Sequence, residues 1–182
     1  MIVSIFGEEQ QVEQGMTLYD IVKQQSRQED YVLAYQNGRL CELYKTVEEG
    51  ADIQFVSTKD PLGMLAYKRS MSLLMLKAFY EHYKKEKTRV VIKHSINQAY
   101  FCVIQGKPIE EVQKVLPQIE KKMREMVEKA LPIRKQTIRT SEAIKRFHEY
   151  GMFAKEKLFR YRRGSRMNLY ELDGYEEYFY GY

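Results

Sequence analysis

Apolar and polar positions change period several times along this chain, and each change marks an element. Met1-Ile2-Val3-Ser4-Ile5-Phe6 alternates with period two and predicts a strand. Gly7-Glu8-Glu9 predicts a turn, and Gln10–Gln14 the returning strand of a hairpin. Thr17 is a good N-cap for a short helix that buries Leu18, Ile21 and Val22. Tyr31–Tyr35 is rich in β-formers and Leu40–Tyr44 is its return strand. Between them Asn37-Gly38 supplies the two positive-φ residues that a type I′ turn needs. After a loop at Val47–Asp52, Ile53–Ser57 predicts a last strand. The order β-β-α-β-β-β in about sixty residues favours one helix on a mixed sheet.

The remainder changes character. Asp60-Pro61-Leu62-Gly63 is a turn signal, followed by a long helix through Tyr83 with Leu73, Leu76, Phe79, Tyr80 and Tyr83 at helical spacing. Arg89–His94 and Ala99–Ile104 predict a hairpin, ended by Gly106-Lys107-Pro108. Ile109–Leu131 predicts a second long helix burying Ile109, Val112, Leu116, Ile119, Met123, Met126 and Val127. Pro117 inside it predicts a kink or break. A strand at Ile133–Arg139 precedes a helix that starts at Thr140-Ser141-Glu142, runs through Tyr150 and is closed by Gly151. Ala154–Arg160 forms a further short helix. Beyond the basic turn Arg162–Arg166, Met167–Leu172 and Tyr175–Tyr180 pair across Asp173-Gly174.

Composition adds further constraints. Of 182 residues, 44% are hydrophobic and 30% charged, a globular rather than a disordered balance. Cys41 and Cys102 lie inside apolar runs and cannot build a disulfide framework, which fits buried reduced thiols in a cytoplasmic protein. There is no leader pattern at residues 1–6 and no apolar run of membrane-spanning length, so no membrane partner is expected. The charge is uneven: residues 1–60 hold five Lys and Arg against eleven Asp and Glu, and residues 61–182 hold 25 against 14. A basic second half of this kind suits a nucleotide, tRNA or other RNA. A solvated Lys-rich helical surface is the alternative that stays open. The chain ends straight after an aromatic strand, with no polar tail, and reads as cut from a longer protein.

In the first sixty residues, Gly15-x-Thr17-Leu18-x-Asp20-Ile21, Ala34-x-x-Asn37-Gly38-x-x-x-x-Leu43 and Glu49-Gly50-Ala51-Asp52-Ile53 resemble the TGS domain. That is a β-grasp module of threonyl-tRNA synthetases, certain GTPases and alarmone synthetases, and the resemblance implies an accessory binding or regulatory role. Residues 61–182 resemble the editing-type domain that follows TGS in threonyl-tRNA synthetase and is shared with alanyl-tRNA synthetases. The resemblance rests on Arg69-Ser70…Leu73-Leu74, Asn97…Tyr100-Phe101, Leu131-Pro132-Ile133 and Gly151…Lys155. The implied class is α+β: a β-grasp domain at 1–60, then a degenerate editing-type domain at 61–182, truncated at its C-terminus.

The departures bear on chemistry. The family's first helix carries His-x-x-x-His, and those positions here are Lys68 and Ser72. The family's last hairpin carries Cys-x-x-x-His; its Cys falls at Phe179 and the chain ends before the His. Lys155 matches the family's lysine. Three scattered histidines, His82, His94 and His148, give no metal-ligand spacing. No catalytic residue and no metal site are therefore expected. The candidate cleft is lined by Lys68, Arg69, Ser72, His94, Tyr100, Lys155 and Tyr180, a set better suited to a phosphate or carboxylate than to zinc. A remnant cleft whose polar groups only satisfy one another stays open beside it. So does a metal-free hydrolase of misacylated tRNA using Lys68, His94 and Lys155.

A third resemblance covers both halves. Asp60-Pro61-x-Gly63-Met64…Tyr67-x-Arg69-Ser70, Tyr100-Phe101-Cys102 and Tyr178-Phe179-Tyr180-Gly181 resemble the N-terminal half of a bacterial uridine kinase-like (nucleoside kinase) family. It implies a kinase domain following in cis, with ATP and Mg bound there. This chain has no Gly-x-x-x-x-Gly-Lys-[Ser/Thr], so it needs no cofactor of its own on this reading. The function expected is a non-catalytic accessory region of an ATP-dependent uridine or nucleoside kinase. The alternative is an editing domain of the threonyl-tRNA synthetase type without the usual His/Cys site.

Overall fold

The structure, a computed structural model, describes residues 1–25, 30–84, 88–97 and 99–179. Packing divides the chain into two units, Met1–Ser70 and Met71–Tyr182.

In the first unit β1 (Ile2–Ile5) and β2 (Glu8–Gln11) form a hairpin. Its turn is Phe6-Gly7, with φ of 53° and 84°. The turn lies one residue earlier than the sequence pattern places it, because Gly7 takes the second left-handed position and Glu8 then pairs with Ile5. α1 (Leu18–Gln24) starts on a reciprocal cap. Asp20 N donates to Thr17 Oγ1 at 3.2 Å, and Thr17 N donates to the Asp20 carboxylate at 2.9 Å. β3 (Tyr31–Gln36) and β4 (Arg39–Glu42) flank Asn37 and Gly38, with φ of 52° and 72°. Asn37 also anchors the loop before β5 (Asp52–Ser57). Its Oδ1 accepts from Asp52 N at 3.0 Å and its Nδ2 donates to Glu48 Oε2 at 3.0 Å. The five strands lie in the order β2-β1-β5-β3-β4, with β1 and β5 parallel and the other neighbours antiparallel. Val3, Ile5, Ala34, Ile53 and Phe55 of the sheet pack with Leu18 and Ile21 of α1 to form the core.

α2 (Pro61–Tyr83) begins where the sequence pattern reads a separate turn. Asp60 Oδ1 accepts from Leu62 N at 2.7 Å, and Pro61 takes the first helical position, where a missing N–H costs nothing. Gly63 is buried, and a Cβ there would lie 2.0 Å from the Ser57 carbonyl oxygen. The helix's first turn reaches the end of β5 only because residue 63 has no side chain.

In the second unit, Leu73, Leu76, Ala78, Phe79 and Tyr83 of α2 meet α3 (Ile109–Glu128) through Val112, Ile119 and Met126. At about 100° per residue, Val112, Val115, Ile119, Met123 and Met126 share one stripe. Ile109, Leu116 and Val127 fall on its flank and are exposed, against the sequence expectation. α3 runs through Pro117 as one element; its buried stripe outweighs the lost hydrogen bond. β6 (Arg89–Ile96) and β7 (Ala99–Gln105) make a two-stranded hairpin.

β8 (Ile133–Arg139), β9 (Arg166–Leu172) and β10 (Tyr175–Glu177) form a second antiparallel sheet in the order β10-β9-β8. The dihedrals of Asp173 and Gly174, φ 44° and 79°, turn the last hairpin. One face of this sheet gives Ile133, Tyr170 and Leu172 to the core around α2. The other gives Ile138, Met167 and Leu169 to a core with α4 (Thr140–Glu149) and α5 (Phe153–Arg160), where Phe147 and Phe159 stack at 5.4 Å. Lys77 is buried beside the first of these cores. Its Nζ donates to the Asp173 carbonyl at 2.7 Å and pairs with Glu81 Oε1 at 2.8 Å. The architecture is mixed α+β, as expected.

Candidate functional site

The seven residues expected to line a cleft are distributed over the two units. Lys68 and Arg69 are half-buried on the part of α2 that belongs to the first unit. Ser72, His94, Tyr100 and Lys155 belong to the second. Tyr180 lies outside the described residues. Ser72 is buried on α2 at 6% exposure, so it faces packing rather than solvent.

His94 and Tyr100 both stand on the β6–β7 hairpin. The register pairs His94 with Phe101 and Ser95 with Tyr100. Side chains alternate faces along a strand, so His94 and Tyr100 lie on opposite faces of the hairpin. The His94 ring stacks on Phe101 at 5.2 Å and 27°. A register shift between Ile92 and His94 re-aims the strand there. Below it, Val90, Ile92 and Ile104 pack on the core; beyond it the hairpin is exposed, including Ile96, Tyr100 and Phe101.

Lys155 lies on α5, and its ammonium pairs with Glu177 Oε1. Glu177 is 3% exposed and also accepts from Tyr178 N at 2.7 Å and from the Tyr175 hydroxyl at 3.4 Å. Burial and the Glu177 charge push the Tyr175 phenol well above its ordinary range. Lys155 therefore neutralises a buried carboxylate. The sequence pattern does not single out Glu177; the signal was its place two residues after Tyr175, on the same inward face of β10.

Ion pairs continue around α4 and α5. His148 Nδ1 lies 2.9 Å from Glu156 Oε2, and Arg160 pairs with the other oxygen. The bond from His148, then Arg160, holds the Glu156 carboxyl below its usual range. Arg146 bridges Glu142 at 2.5 Å and Glu176. Among the described residues no three His, Cys, Asp or Glu side chains come together to hold a metal ion. Cys41 and Cys102 are free thiols, and burial raises both above the ordinary thiol value. None of the described helices is long and apolar enough to cross a membrane.

No family model matches the chain. Among curated proteins it is similar to threonine–tRNA ligases. That of Rubrobacter xylanophilus is 31% identical over 139 residues, covering 75% of this chain and 21% of the relative. That of Thermotoga petrophila is 28% identical over 167 residues, 90% of this chain and 25% of the relative. That of Thermus thermophilus is 23% identical over 173 residues, 91% and 26% respectively. The chain thus spans about a quarter of the length of these relatives. They lend the nucleoside-kinase parent no support and favour the synthetase-type alternative.

Proposed function

We propose that this chain is a tRNA-directed region of the threonyl-tRNA synthetase type: a β-grasp TGS unit followed by an editing-type unit that binds without hydrolysing. The observation that carries the reading is the similarity to threonine–tRNA ligases. It extends over 139 to 173 residues and so reaches into both units. The sheet order β2-β1-β5-β3-β4 with α1 across it supports the β-grasp part. The excess of cations after residue 60 supports a polyanionic ligand.

Residue identities and placements support binding over hydrolysis. Where the resembled family has two histidines one helical turn apart, this chain has Lys68 and the buried Ser72. His94 stacks on Phe101, and Lys155 is committed to Glu177. A general base must lie within hydrogen-bonding reach of the water it activates, with a group to orient it. Neither a lysine paired with Glu177 nor a stacked, exposed imidazole meets that need.

The test is direct. The purified chain is incubated with misacylated tRNA and, separately, titrated with uncharged tRNA at several salt concentrations. The expected result is salt-sensitive binding and an unchanged ester half-life. Hydrolysis abolished by His94→Ala would replace this reading with the metal-free hydrolase. Absence of tRNA binding at low salt would remove it.

A further inference from the structure

Where β8 runs out and β9 begins, the three-stranded sheet is rich in arginine. Residues 135–141 carry Lys135 and Arg139 and no Asp or Glu. Residues 157–170 carry Lys157, Arg160, Arg162, Arg163 and Arg166, again with none. The fold brings the two stretches together. The β8–β9 register sets Arg139 directly opposite Arg166. Thr140 N donates to the Ser165 carbonyl at 3.0 Å and Thr140 Oγ1 to the Gly164 carbonyl at 2.6 Å, pinning the basic turn to the β8–α4 junction. Arg139, Arg162, Arg163 and Arg166 are all exposed, and Tyr161 beside them is 88% exposed.

Like charges directly opposite on antiparallel strands destabilise the pair. Edge protection explains part of the pattern: β8 is an edge strand, and cations on an edge deter strand addition. It does not explain Arg166, which stands on the central strand β9. A locally unfavourable arrangement at the surface points to a compensating partner outside the chain. Arg160 is neutralised by Glu156 and takes no part. Arg162 is held by the rings of Phe159 and Tyr178, each 5.5 Å from its guanidinium carbon, and donates to the Tyr178 hydroxyl at 2.5 Å.

We propose that Arg139, Arg163 and Arg166, with Arg162 fixed beside them, form a docking surface for the phosphodiester backbone of double-helical RNA. Arginine forks match phosphate geometry. Among the described residues, Tyr161 is the one exposed ring of the patch, whereas single strands need a succession of aromatic platforms. The choice of RNA as the polyanion rests on the function proposed above; the surface itself does not.

The experiment measures binding of the chain to a fluorescent blunt RNA duplex by anisotropy across a potassium chloride series. Arg139→Gln with Arg166→Gln is expected to weaken binding about tenfold and to flatten the log–log salt dependence by about two. The melting temperature of this variant should stay level or rise, because the facing charges are gone. A control pair on α3, Lys114→Gln with Lys121→Gln, should leave affinity within about twofold. Equal affinity in parent and arginine variant, or an equal loss in the α3 control, overturns the proposal. Duplex binding through this patch by a chain without affinity for intact tRNA would uphold the surface and count against the proposed function. tRNA binding that survives the arginine variant would overturn the surface and leave that function standing.

Discussion

Lys77→Met tests how the terminal hairpin is fastened to the long helix. Lys77 is 3% exposed, and its ammonium makes three contacts: the Asp173 carbonyl at 2.7 Å, the Asp173 carboxylate at 3.1 Å and Glu81 Oε1 at 2.8 Å. Methionine keeps the apolar stem and removes only the charge. The two carboxylate partners can rehydrate, since Glu81 is 37% and Asp173 62% exposed, and Glu81 retains Lys122 at 3.5 Å. Exposed pairs of this kind are worth at most about 1 kcal/mol. The carbonyl of Asp173 is the costly loss, because a hydrogen bond to a charged donor is worth about 1.5–3 kcal/mol. The net expectation is about 2 kcal/mol, or a fall in melting temperature on the order of 10 °C for a unit of this size. The chain has no Trp, so circular dichroism in urea and in a thermal scan is the assay. Asp173→Asn keeps the carbonyl and should cost less than about 1 kcal/mol. If Lys77→Met is neutral, or Asp173→Asn costs as much, the carbonyl anchor is not what holds the hairpin.

The same network sets a pH dependence. Burial works against the charged form of both Lys77 and Glu81, but their mutual bonds, with Asp173 and Lys122 adding to them, prevail. Lys77 is therefore raised above its ordinary 10.5 and Glu81 lowered below 4.5. Stability from Glu81 is present above 4.5 and lost as pH falls through its lowered value; that from Lys77 is present below 10.5 and lost as pH rises through its raised value. The stability gap between parent and Lys77→Met should be flat between those limits and shrink outside them, which urea titrations at about pH 3, 7 and 11 would read. Gly63→Ala should cost more than about 2 kcal/mol, because its methyl would meet the Ser57 carbonyl, which is fixed backbone; a melting temperature equal to the parent's would show that α2 can shift to admit it. Lys155→Met should cost about 2–4 kcal/mol by stranding Glu177 in the core, an expectation reached by discounting the full penalty of a broken buried pair for the lysine's partial exposure. A stable Lys155→Met with altered ligand binding would return Lys155 to the cleft.

Local signals in this chain fixed most elements. Thr17 and Asp20 cap α1, Asn37-Gly38 and Asp173-Gly174 turn two hairpins, and Ile133–Arg139 forms the strand its pattern predicts. Each depends on dihedral preference or hydrogen bonding within a few residues, and that information is present in the sequence. Boundaries were less legible. Asp60-Pro61-Leu62-Gly63 reads as a turn, yet it is a cap and first helical turn, because the same residues serve both purposes. Pro117 reads as a break, but the buried stripe of α3 overrides it.

The candidate site depended on register and packing, which no single stretch encodes. His94 and Tyr100 are six residues apart and look like companions, but the hairpin register puts them on opposite faces. Lys155 looks like a ligand-binding cation, but tertiary structure brings a buried carboxylate to it from 22 residues away. Arg139 and Arg166 look like ordinary surface charges until strand pairing places them face to face. Sequence alone determined the types and order of the elements and the uneven charge. Only the tertiary structure decided which charges are neutralised and which remain exposed, because ion pairing is set by distances across the fold, and those follow from strand register and helix packing.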